Sequence, residues 1–209
     1  VAERKLADFC DVFCEEGVFT AEESKKILLT GQKYGLKSKI HADEIYPIGG
    51  CEVAGEIRAV SAEHLIVCNE QGIKALSRGN TIACLLPATS HYLNAGYAPA
   101  RKMIENDVAV ALATDYNPGT CPCLNLQLVM TLGCLKYKMT PEEVLTAVTL
   151  NGAAAIDRAD TIGSLEEGKQ ADLVIWNATE LSYIFYRLGS NLADTVIKKG
   201  KIVGGSRHA

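Results

Sequence analysis

Short runs of apolar and β-branched residues alternate with stretches of helical spacing from the start of this chain. The first run, Leu6 to Glu15, predicts a strand with acidic residues near its end. Thr20-Ala21-Glu22-Glu23 then has capping-box form, with Thr20 placed to accept from the Glu23 backbone N–H. Ile27, Leu28 and Tyr34 give an apolar stripe at helical spacing, closed by Gly35 as a C-cap. A second strand runs from Leu36 to His41, and a helix occupies part of Ile48 to Ile57. The pattern continues with a strand over Val60 to Val67, a helix over Glu70 to Ser77 and a buried strand over Thr81 to Leu86. Pro99 to Glu105 predicts another helix and Val108 to Thr114 the fifth strand.

Strands separated by helices in this way predict a parallel sheet with helical crossovers, an α/β fold. Two helices follow the last strand. Leu128, Leu132 and Leu135 mark the first. Thr140-Pro141-Glu142-Glu143 opens the second, with an N-cap, a proline at the first position and a Glu at the third, and the pattern stops near Ile156. From Gly163 the character changes to a turn-rich lead into a strand ending at Trp176. Thr195 to Lys198 and Lys201 to Val203, joined at Gly200, predict a hairpin, so residues 161–209 read as a small β appendage to a parallel unit over 1–160. Five strands fall short of the eight that close a (β/α)8 barrel, and the first begins close to the N-terminus, as if a barrel had been cut.

Composition narrows the function classes. The chain has 209 residues, 48% apolar and 22% charged, as in ordinary globular proteins. A net charge of −4 without any Lys/Arg run gives no footprint for nucleic acid or an anionic membrane. No apolar run approaches the ~20 residues of a membrane span, and no signal sequence is read at the start. The 8 cysteines lie mostly in apolar segments without paired CxxC spacing, which favours buried free thiols in a reduced, cytoplasmic setting. Cys121-Pro122-Cys123 offers two thiolates, too few for a closed tetrahedral metal site.

The candidate chemistry sits at strand ends. His41-Ala42-Asp43-Glu44 closes the second strand, His64 the third, and Asp115-Tyr116-Asn117-Pro118-Gly119-Thr120 the fifth. Parallel strands place their C-terminal ends on one face, where side chains distant in sequence converge. His and Asp together suit zinc or ferrous iron, Glu44 is placed to move a proton, and His64 to hold a water or an oxyanion. A lone His at a strand end is as a rule a hydrogen-bonded structural residue, and an Asp before Asn-Pro-Gly a turn former, so the pattern alone leaves both readings open. His91 and His208 have no such context and read as surface residues.

The chain resembles the imidazolonepropionase family of the amidohydrolase superfamily. The matching pieces are Asp11-Val12-Phe13-Cys14-Glu15, His41-Ala42-Asp43-Glu44, Ala62-Glu63-His64-Leu65, Leu86-Pro87-Ala88-Thr89 and Ala113 to Thr120, with Gly163 to Asp172 near the end. The last stretch is shared across many amidohydrolases; His-Ala-Asp-Glu with Asp-Tyr-Asn-Pro-Gly is narrower. The resemblance implies the C-terminal part of a (β/α)8 TIM-like barrel, about five of its eight strands, plus part of a composite β-sandwich. It implies a hydrolase that opens the ring of 4-imidazolone-5-propanoate to N-formimidoyl-L-glutamate, using one divalent metal, Zn or Fe. By resemblance His41 and Asp115 are metal ligands, and Glu44, His64 and Asp115 are catalytic. Glu44, Asn117, Gly119 and Thr120 hold the substrate, and the full-length enzyme is a homodimer.

One departure bears on activity. The family's other metal ligands form a His-x-His pair on the first barrel strand, and this chain has no His-x-His. Two ligands hold a catalytic metal weakly, so the expectation is the C-terminal half of a longer protein, inactive and poorly folded alone. The competing expectations are another cyclic amidohydrolase, such as a deaminase of guanine-like rings, and a non-catalytic remnant that binds no metal. A cysteine-based redox or zinc module lacks a motif to support it.

Overall fold

The apolar runs become neighbouring strands. The structure, a computed structural model, describes residues 1–205. His208, read above as a surface residue, lies outside them.

β1 (Phe9–Cys10), β2 (Phe13–Cys14), β3 (Lys37–Ala42), β4 (Ser61–His64), β5 (Ile82–Leu85) and β6 (Val110–Leu112) form one all-parallel sheet. Its order follows the sequence, β1-β3-β4-β5-β6, with β2 also on β3. β1 and β2 are one predicted strand with an interruption, because Phe9 faces Lys37 and Phe13 faces His41 in the same register. At the break the Asp11 carboxylate accepts the Val12 N–H at 2.8 Å, while Val12 O still accepts from His41 N at 2.9 Å. The result is a wall of five consecutive barrel strands.

Helices return the chain between them. α1 (Ala21–Lys33) starts at the Thr20–Glu23 capping box and ends with Gly35 at φ +82°, a backbone state that favours glycine. α2 (Gly50–Glu56) and α3 (Glu70–Gly79) pack closely, α3 capped by the Asn69 side chain. A Cβ on Gly55 would lie 2.1 Å from Ala75 O, and one on Gly79 2.3 Å from Gly55 O, so this contact is backbone on backbone. α4 (Pro87–Tyr92), a single short turn-and-a-half, had no periodic signal to announce it. α5 (Ala100–Glu105) precedes β6, and α6 (Leu126–Tyr137) follows the Asp115 loop. The predicted last helix is broken in two, α7 (Pro141–Val148) and α8 (Leu150–Ala155), at Thr149, whose φ −118° and ψ −86° are not helical. Leu28, Ile40, Leu65, Leu76, Leu85 and Met103 are fully buried between sheet and helices.

The C-terminal segment forms a separate antiparallel sheet, β7 (Leu173–Trp176), β8 (Ala193–Lys198) and β9 (Lys201–Gly204). Lys199 (φ 52°) and Gly200 (φ 74°) make the predicted hairpin turn, both in the left-handed region that two-residue hairpins require. Between β7 and β8, α9 (Leu181–Tyr186) docks on α6: Gln127 Nε2 donates to Ile184 O at 2.9 Å, and Thr131 Oγ1 to Phe185 O at 2.9 Å. Ile184 and Phe185 thereby join the barrel-side core. The eight cysteines are free thiols. Among the described residues no helix is long and apolar enough to cross a membrane.

Candidate active site

The C-terminal ends of β3, β4 and β6 lie on one rim because the strands are parallel and nearly in step. His41 and His64, from adjacent strands, bring their rings to 5.4 Å between centroids. Glu44 turns back from the loop after β3, placing Oε1 3.5 Å from His64 Nδ1. Asp115, just past β6, accepts a hydrogen bond from Thr89 Oγ1 to its Oδ2 at 2.6 Å. Thr89 sits on α4, so the unannounced helix positions a candidate ligand.

The backbone is forced at these points. Asp43, His64, Leu65 and Asp115 all have positive φ (46°, 72°, 58° and 55°), which costs energy in residues other than glycine. Specific bonds hold them there. Asp43, fully buried, accepts from Gly50 N and Cys51 N at the start of α2. Glu15, also buried, accepts from Ile45 N at 2.9 Å and Tyr46 N at 3.0 Å. Together they clamp the loop that carries Glu44. Leu65 N and Val67 N donate to Ala42 O and Asp43 O, stitching the His64 turn to the end of β3.

The electrostatics divide the groups by role. Burial and the nearby Asp115 charge raise the pKa of Glu44, opposed by His41, so its carboxyl keeps a proton more readily than usual. Burial drives His64 down to about 4, with Asp115 opposing and His41 reinforcing the drop, which leaves a neutral imidazole at pH 7. Burial also works against the charged form of His41, but the Asp11 hydrogen bond and charge, with Glu63 and Asp115, outweigh it and raise its pKa.

Below the rim the sheet register reveals residues the linear sequence did not single out. Lys39 pairs with Ser61 and His41 with Glu63 across β3 and β4, so all four side chains share one face. Lys39 Nζ lies 2.7 Å from Glu63 Oε1, which also accepts from Ser61 Oγ at 2.5 Å, and Lys39 donates to Ala155 O at 3.0 Å. Asp11 stands beside His41, its two oxygens 3.2 Å and 3.1 Å from Nδ1. The available signal was polar residues at alternate positions in otherwise apolar strands, which needs the register before it means anything.

The Asp115 loop is ordered by its own asparagine. Asn117 Oδ1 accepts from Gly119 N at 2.9 Å and Thr120 N at 2.7 Å, and its Nδ2 donates to Asp115 O at 2.9 Å and Thr120 Oγ1 at 2.9 Å. Thus Asn117, half-buried, and the exposed Gly119 and Thr120 form one turn directly after Asp115, with both backbone donors turned to the amide oxygen. His91 is exposed and outside the cluster, as expected.

His41 and Asp115 are of ligand types that suit a divalent cation, and this chain offers those two donors. His41 has Nδ1 occupied by Asp11 and Nε2 left as a donor, and Asp115 has Oδ2 held by Thr89 and Oδ1 left. Ligating imidazoles and carboxylates are held from behind in this manner. Among the described residues the groups that bring three ligand atoms within 4.8 Å of one another are Asp11, His41 and Glu63, and the buried Asp43, Cys51 and Cys68; neither includes Asp115.

Comparison with known proteins agrees with this architecture. The profile of the Amidohydrolase family matches residues 19–203. The chain is 56% identical over 204 residues to an imidazolonepropionase of Alkaliphilus oremlandii, covering 97% of this chain and 48% of that protein. It is 54% identical to an imidazolonepropionase of Fusobacterium nucleatum subsp. nucleatum, covering 97% and 49%. The chain therefore spans about half the length of the curated relatives it matches. Among solved structures, an adenosine deaminase from Xanthomonas campestris with bound zinc superposes with a TM-score of 0.79 at 20% identity, over 91% of this chain and 50% of that one. A 5-methylcytosine deaminase from Klebsiella pneumoniae gives 0.81 at 20% identity, over 97% and 57%. Those two likenesses speak for the barrel fold; with the family match over most of the sequence, the chain belongs to the amidohydrolase family.

Proposed function

We propose that this chain carries the C-terminal catalytic portion of an imidazolonepropionase, which opens 4-imidazolone-5-propanoate to N-formimidoyl-L-glutamate. The observation that carries the reading is the convergence of His41, Glu44, His64 and Asp115 on one rim, in a chain 56% identical to a curated imidazolonepropionase. His41 Nε2 and Asp115 Oδ1 would hold one divalent metal, Zn or Fe. When bound, that metal acidifies a water and polarises the ring carbonyl.

The chain's own groups then divide the proton work. Asp115 takes the proton of the attacking water as its oxygen adds to the ring carbonyl carbon. His64, neutral because it is buried, steadies the water and the developing oxyanion by hydrogen bonding. Glu44, whose pKa is raised by burial and the Asp115 charge, delivers its proton to the ring nitrogen as the C–N bond breaks. The turn at Asn117, Gly119 and Thr120 holds substrate: a carboxylate oxygen can replace Asn117 Oδ1 as acceptor for the two N–H groups.

Residues 1–160 belong in this reading to the barrel and 161–209 to a composite β-sandwich completed by the rest of the full-length protein. That protein is a cytoplasmic homodimer. The 209-residue chain alone is inactive, because two ligands hold the metal weakly.

The test is ring opening by the chain extended upstream through the length of its relatives. Formation of N-formimidoyl-L-glutamate without ammonia, lost on Asp115→Asn, supports the reading. Ammonia release from a guanine-like ring, with 4-imidazolone-5-propanoate untouched, would mean a deaminase instead.

A further inference from the structure

The metal reading gives His41 one nitrogen to spend on the cation and does not say what governs the other. The unprotonated nitrogen of a neutral imidazole is the one that ligates, and the hydrogen bond made by its partner decides which nitrogen that is. In the structure the partner is Asp11. Its carboxylate oxygens lie 3.1 Å and 3.2 Å from His41 Nδ1, and the latter, Oδ1, also accepts the Val12 backbone N–H at 2.8 Å. Asp11 sits at the interruption between β1 and β2, where the strand keeps its register on β3 but gives up regular pairing. The break therefore turns an acidic side chain toward the neighbouring strand's histidine. Val12 O, next along the chain, accepts the His41 backbone N–H, so strand and side chain are fixed from the same two residues.

We propose that Asp11 is a positioning residue for His41: by accepting the Nδ1–H it fixes the tautomer and ring plane that leave Nε2 as the metal-binding atom. This rests on the reading of His41 as a ligand. Glu63, the other carboxylate near His41, does not compete for the role. Although it lies beside His41 in the β3–β4 register, one of its oxygens is taken by Lys39 and Ser61 and the other is buried without a hydrogen-bond partner, so the ring's bonded carboxylate is that of Asp11. A carboxylate behind a ligating histidine makes the imidazole a better donor and removes the freedom to rotate, and losing it typically weakens metal binding about 10–100-fold.

The experiment uses the upstream-extended protein, stripped of metal and carrying 15N-labelled histidine, by NMR at alkaline pH, where the His41 ring is neutral. The metal-free parent should show His41 protonated at Nδ1, and Asp11→Ala should shift the proton to Nε2. Zinc chloride titrated into the same samples should perturb His41 Nε2, with the affinity about 10–100-fold lower in Asp11→Ala. Asp11→Asn keeps an uncharged acceptor of the same shape and should recover part of both effects; Asp11→Leu, of similar bulk and without an acceptor, gives the decisive readout if the alanine variant unfolds. An unchanged tautomer in Asp11→Ala or Asp11→Leu overturns the proposal, and so does a fall in zinc affinity with the tautomer unmoved, since Asp11 would then be a ligand itself. His41→Ala separates the two readings. If it binds zinc as well as the parent, the assignment of His41 as a ligand fails, whatever Asp11 does to the tautomer.

Discussion

Glu44 and His64 are 3.5 Å apart, yet burial moves them in opposite directions, the acid toward holding its proton and the imidazole toward shedding it. An acid biased toward holding its proton and a neutral hydrogen-bonding partner are what the proposed ring opening needs. Glu44→Gln should lower the rate by about 10²–10⁴-fold in the full-length protein, as loss of a positioned acid does, with little change in KM if its main work is the proton. The rate of the parent should fall as pH rises through the raised Glu44 pKa, and that limb should vanish in the variant. His64 also makes a stability prediction. Its pKa is about 4 in the fold against 6.5 when exposed, so the unfolded chain binds the extra proton first and stability is lost as pH falls from 6.5 toward 4. His64→Gln should flatten that acid limb in thermal melts, whereas an unchanged limb would mean other groups dominate it. His41, Glu44, His64 and Asp115 were legible as residues at or just past strand ends. Asp11, Lys39, Glu63 and Thr89 were not, because their meaning depends on which residue faces which across parallel strands, and that is a tertiary fact.

At the scale of elements, capping and close approach decide what forms. The strands and most helices were readable from the alternation of apolar runs, Thr20 and Thr140 caps and Gly35. α4 and α9 were not: each is too short to establish a period, and each is held by tertiary contact, α9 through Gln127 and Thr131 of α6. The division of α7 from α8 was hidden for a related reason, since Leu145 to Ala155 is helix-compatible throughout and only the Thr149 backbone departs. The α2–α3 contact offers the sharpest test of packing. Gly55→Ala and Gly79→Ala push a methyl into backbone atoms that cannot yield, so each should destabilise by at least the ~1–3 kcal/mol of an overpacked core. Gly152→Ala in α8 meets its nearest atom, Ala147 O, only at 3.4 Å and gains helix propensity, so its denaturation midpoint should stay or rise. Equal effects of the three substitutions would refute the backbone-contact account.

For the whole molecule, the decisive feature is how much of the active rim and the second sheet this chain presents without cover. Ile175, Ile202 and Val203 of the β7–β9 sheet are exposed, as are Ile45, Tyr46 and Tyr116 around the rim. Apolar surface of this kind on a sheet invites pairing or coverage. An upstream-extended version should therefore bind less of a hydrophobic dye per chain than the 209-residue chain and melt at higher temperature. The family and the barrel wall were legible in the sequence through His41 to Glu44 and Asp115 to Thr120; the single antiparallel sheet was legible as an appendage through its Gly200 turn. The most direct measurement is metal content with ring-opening activity on 4-imidazolone-5-propanoate, for the 209-residue chain and the extended protein side by side. The account expects about one Zn or Fe per extended chain with turnover, and little of either for the shorter chain. An extended protein that binds its metal and leaves the substrate intact would contradict the assignment, and full turnover by the 209-residue chain would contradict the claim that its two ligands do not suffice.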